Sequence, residues 1–149
     1  MYFWKTHLIV DALKKSSIEP NALKNYYLAS TLLYSASYYL ALLAPPTNLA
    51  ALAIEAIGTL TITVFGLNAV FKANGGSNGL GFIEKIVSIS FPLFIKVFVS
   101  GIALGILLGI LKALGFSKLQ IEWFTSISVI FIQAIFFWRL AVHVKNTNT

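Results

Sequence analysis

Glu55 is the only acidic residue well inside an apolar stretch of the chain, and Thr59 and Thr63 follow it at i+4 and i+8 on the same helical face. A carboxylate in hydrocarbon is costly unless it meets a cation, a proton or water, so a carboxylate with hydroxyls below it could bind an ion or relay a proton. Six residues into its helix, at a depth of about 9 Å, the same group can instead reach headgroup water or be held neutral by hydrogen bonds. Lys96 is the other charge within an apolar run. It either meets Glu55 at a similar height or extends its stem to carry the ammonium to the headgroups, and the second needs no partner. Glu55, Thr59, Thr63 and Lys96 are the candidate ion or polar path.

A different kind of chemistry is written in Gly101, Gly105 and Gly109, a small-xxx-small repeat. With no side chains on that face another helix backbone can come close, and packing then supplies the attraction that lipid withholds from apolar surfaces. The expected contact is within the same chain or between copies, and it is expected to be the closest helix approach in the protein. Tyr27, Thr31, Tyr34 and Tyr38 put hydroxyls along one helix, and Glu122, Ser126 and Gln133 share a face on another. Such stripes serve as interhelical hydrogen bonds or line a wet path.

Catalytic, cofactor and metal sites are not expected. The chain has no cysteine, and its two histidines, His7 and His143, lack metal-ligand spacing. Neither a paired-carboxylate cluster nor a Gly-x-Ser-x-Gly turn occurs. The Gly-Gly-Ser-Asn-Gly-Leu-Gly run at 75–81 lacks the Lys-Ser/Thr of a phosphate-binding loop and reads as a linker.

The elements that carry these residues follow from hydropathy. Of 149 residues 58% are hydrophobic and 11% charged, far below the roughly 25% charge of soluble domains. The expected fold is all-α: one integral membrane domain over 1–149, an antiparallel bundle of four transmembrane helices behind an N-terminal amphipathic interfacial helix. The interfacial helix covers about 2–15, with His7, Asp11, Lys14 and Lys15 as its polar stripe. The spans cover about 26–44, 49–71, 94–111 and 121–144. The third reaches back to 86 if Pro92 only kinks it, whereas residues 82–91 form a separate interfacial helix if Pro92 ends it. Pro45 and Pro46 close the first span, and the very short link that follows predicts a hairpin with the second.

Basic residues set the orientation. Lys5, Lys14, Lys15, Lys24, Lys72, Lys85, Arg139 and Lys145 fall on one side and Lys112 and Lys118 on the other, which predicts cytoplasmic termini in a plasma or inner membrane. The net charge of +6 then implies anionic lipid rather than nucleic acid as partner. The expected function is non-enzymatic: intramembrane helix-helix contact with another membrane protein or with itself, as an accessory subunit or immunity-type protein. The alternative is a small homo-oligomeric ion or proton channel or transporter that uses Glu55 and the hydroxyl-lined faces.

Overall fold

The computed structural model describes residues 4–15, 18–42 and 47–148. Its described residues form five α-helices and no strand: α1 (Thr6–Lys14), α2 (Pro20–Leu42), α3 (Leu49–Ala73), α4 (Phe82–Ala113) and α5 (Lys118–Lys145). Tyr2 and Phe3, assigned to the interfacial helix, and the Pro45-Pro46 stop lie outside the described residues. Among the described residues three helices, α3, α4 and α5, are long and apolar enough to cross a membrane.

Local chemistry explains where these helices begin and end. Asn48 caps α3, its Oδ1 accepting from the backbone N–H groups of Ala50 at 3.0 Å and Ala51 at 3.3 Å. A tight hairpin joins α4 to α5. Gly115, at φ +91°, adopts a left-handed conformation that side chains resist, and it lets Phe116 N–H reach Leu111 C=O and Gly115 N–H reach Lys112 C=O. Ser117 and Gln120 then start α5 with a reciprocal capping box. Between α3 and α4 the glycine-rich segment is compact: a 3-10 turn at Gly76–Asn78 follows Asn74, which is buried.

Pro92 does not interrupt α4. Proline removes one backbone donor, but Phe91, Pro92 and Leu93 are all buried, and packing from neighbouring helices keeps the helix continuous through it. Residues 82–91 are therefore the first turns of one 32-residue helix, about 48 Å long, rather than a separate interfacial segment.

The chain order is not the spatial order. Tyr26 packs on Phe91 and Tyr34 on Phe94, which seats α2 beside α4 and running the same general way. Helix α4 packs antiparallel to α5, and α5 packs along α3. Among the described residues α2 makes its substantial contacts with α4, not with α3, so the expected hairpin between them is not seen. Contact between successive helices depends on their facing side chains, not on the length of the link that joins them.

Most of the core lies at one end, termed the base, where α3 finishes and α4 starts. Ile9, Val10, Tyr26, Val70, Ile89 and Leu140 are all buried in one cluster there. Helix α1 contributes its apolar side to this cluster, while His7, Asp11, Lys14 and Lys15 stay exposed. Toward the opposite end, the rim, the helices present large apolar side chains outward: only 6% of the apolar window of α4 is buried. That exposure is what a lipid-facing surface requires.

Candidate functional site

The longest contact is the seam between α3 and α5, which run parallel. At the rim, Glu122 Oε1 accepts from the Thr47 backbone N–H at 3.0 Å and the Thr47 hydroxyl at 2.7 Å. At the base, Asn148 Nδ2 donates to Ala73 C=O at 3.1 Å, and Lys85 Nζ bridges Asn74 Oδ1 at 2.8 Å and Asn148 Oδ1 at 2.7 Å. Both ends of α3 are thus tied to both ends of α5.

Within the seam lie three of the candidate path residues. The Thr59 hydroxyl donates to Glu55 C=O at 2.8 Å and the Thr63 hydroxyl to Thr59 C=O at 2.7 Å. Gln133 Nε2 donates to Thr63 Oγ1 at 2.8 Å. The hydroxyl protons are spent on their own helix, and the stripe on α5 meets α3 through Gln133 and the segment just before α3 through Glu122. By contrast, Tyr27 and Tyr34 are exposed and Thr31 bonds back to Tyr27 C=O, while the side chain of Tyr38 lies outside what is described.

Lys96 is not brought to this seam. Its Nζ donates to Thr6 Oγ1 at 3.2 Å and sits 5.8 Å from the centre of the Trp4 ring, so its partners come from the segment that begins α1. Sequence spacing could not supply that contact, which joins positions 90 residues apart.

The closest helix approach also lies elsewhere than expected. Gly101, Gly105 and Gly109 are exposed, and a Cβ on any of them would meet no described atom within 4 Å. The intramolecular form of the glycine-face expectation is therefore corrected. The tight positions are Gly58 and Gly66 on α3: a Cβ on Gly58 would lie 2.7 Å from Ile130 Cδ1, and one on Gly66 would overlap the Phe137 ring at Cγ and come within 2.7 Å of its Cβ. These glycines stand eight residues apart opposite large α5 side chains, a spacing legible as small-against-large packing only once α5 is known to run parallel.

A furrow opens on the other flank of α5, against α4. Its rimward part, of about 480 Å³, is lined by Ser100, Ala103, Leu107, Ile127 and Phe131 among others. A narrower part toward the base, about 170 Å³, shares Ser100 and Ile132 with it and is lined at its baseward end by Leu93, Lys96 and Arg139. Among the described residues no group of three or more His, Cys, Asp or Glu side chains is placed to hold a metal. No family model matches the chain, and no curated protein or solved structure is detectably similar to it.

Proposed function

We propose that the protein crosses a membrane with α2, α3, α4 and α5 and works there through helix-helix contact, as an accessory subunit or immunity-type protein would. The observation that carries this reading is the open face of Gly101, Gly105 and Gly109, flanked by exposed Ile102, Ile106 and Ile110. A backbone stripped of side chains over two turns gains nothing against mobile acyl chains, but it admits another helix to close range. The partner is a second membrane protein or a second copy. Determining the mass of the detergent-extracted assembly tests this: an unlike chain or a defined multimer is expected, and a lone monomer in every mild detergent would count against it.

Four crossings put both ends of the chain on one side. At 23 residues α2 is about 35 Å long, enough for the hydrocarbon core. The charge distribution makes the base cytoplasmic, in a plasma or inner membrane, with α1 near the headgroups. Single cysteines at Asn78 and Leu114, introduced into this cysteine-free chain, are expected to differ in intact cells. An impermeant thiol reagent should label position 114 and spare 78, and the opposite pattern would invert the orientation.

The second reading, an ion or proton channel formed by several copies, draws on one observation: among the described residues the Glu55 carboxylate has no hydrogen-bond or ion-pair partner. The Glu55→Gln variant is expected to match wild-type ion flux in liposomes, since the first reading gives this charge no transport role. Loss of a robust wild-type proton or cation current in that variant would favour the channel.

A further inference from the structure

We propose that the furrow between α4 and α5 holds one anionic phospholipid of the leaflet at the base, its phosphate at Lys96 and Arg139 and one acyl chain laid toward the rim. Charge is the first argument. Lys96 and Arg139 line the same end of the furrow, so positive charge is concentrated there. No acidic residue lines either part of the furrow, and neither cation is ion-paired to a carboxylate among the described residues. Two cations at one end of the furrow with no carboxylate partner attract an external anion, and a phosphate diester supplies one with oxygens free to accept from both.

Depth is the second argument. Lys96 stands 5.8 Å from the Trp4 ring and Arg139 5.7 Å from the Trp138 ring. Tryptophan collects at the headgroup level, so two exposed indoles flanking the two cations place this end of the furrow where phosphates lie. Length is the third. From Lys96 to Leu107 is eleven residues of helix, about 16 Å, and from Arg139 to Ile127 twelve, about 18 Å. One leaflet contributes about 15 Å of hydrocarbon, so the apolar part is as long as an acyl chain is deep. Polar head site, apolar trough and leaflet length coincide in a single feature.

Native mass spectrometry of the full chain, released from detergent with phosphatidylglycerol or phosphatidylcholine of identical tails, tests this. One phosphatidylglycerol is expected to remain bound at about tenfold lower lipid concentration than phosphatidylcholine. Arg139→Gln should erase that preference, and Ala103→Trp, which fills the trough from an exposed position, should weaken both lipids. Lys72→Gln removes an exposed charge at the base away from the furrow and should leave the preference intact. Equal retention of the two lipids by wild type would overturn the proposal, as would a loss in Lys72→Gln equal to that in Arg139→Gln. Displacement of the lipid by glycerol phosphate at comparable concentration would also overturn it, because a headgroup alone would then suffice. Thermal melts of each variant separate lost binding from lost folding, and if Arg139→Gln does not fold, the comparison of Ala103→Trp with wild type decides.

Discussion

Gly66→Ala is expected to destabilise the protein by about 2 kcal/mol, within the range of core overpacking, although alanine ordinarily improves a helix by up to about 1 kcal/mol over glycine. The new methyl would overlap Phe137 at ring carbon Cγ and approach its Cβ, atoms too near the α5 backbone to swing aside. The seam must therefore part. Gly58→Ala makes a useful contrast, since there the obstruction is the mobile tip of Ile130, 2.7 Å away, and the steric cost should nearly cancel the propensity gain. Thermal unfolding in detergent should rank the variants Gly58→Ala above Gly66→Ala. Adding Phe137→Ala to Gly66→Ala should cost less than the two changes summed, because the same contact is removed from both sides. Additive losses, or a Gly66→Ala protein as stable as wild type, would mean that α3 and α5 are not seated in this register.

Gly105→Leu is expected to do the reverse. Nothing described lies within 4 Å of a Cβ at that position, so the folded single chain should keep its melting behaviour. What should fail is association. A leucine on the open glycine face holds a partner backbone away over about one turn, and loss of close packing is the main energetic term available to helices in lipid. The assembly mass should fall to that of the single chain, or the partner should no longer co-purify. Unchanged assembly together with unchanged stability would mean that this face is covered by lipid alone, and the contact reading would lose its support. Paired with Gly66→Ala, the experiment sorts glycines that pack the chain on itself from glycines left open to another chain.

How far the sequence reveals the fold differs by element. Spans expected at 49–71 and 121–144 became α3 (Leu49–Ala73) and α5 (Lys118–Lys145), because long apolar runs bounded by Asn48 and Ser117 caps leave little choice. Pro92 is compatible with either outcome in sequence, since a proline breaks an unsupported helix and is tolerated in a packed one, and only the neighbours of α4 decide which. Helix adjacency was harder still. The pairing of α2 with α4 rests on ring contacts such as Tyr26 with Phe91, and no local pattern encodes these. Sequence spacing puts Thr63 and Gln133 each on a polar stripe of its own helix, but their hydrogen bond depends on the parallel run of α3 and α5. Lys96 resisted for the same reason, as its hydroxyl and indole partners sit at Thr6 and Trp4 near the opposite end of the sequence.

The α3–α5 seam also sets an order on biosynthesis. Helix α3 emerges from the ribosome about seventy residues before Ile130, Gln133 and Phe137, the side chains that meet Gly58, Thr63 and Gly66. During that interval α4 is made and inserted, yet its contacts with α3 are too slight to shield those positions. The core at the base waits longer still, for it joins Ile9 of the first helix to Val144 of the last. Contacts so distant along the chain cannot form progressively behind the ribosome. If α3 spans a membrane as proposed, it enters the bilayer with its notches facing lipid or an insertion factor, and its docking coincides with the arrival of α5. A nascent chain arrested before α5 is threaded would present a grooved, unpaired helix, a form more open to quality control than any the finished protein offers.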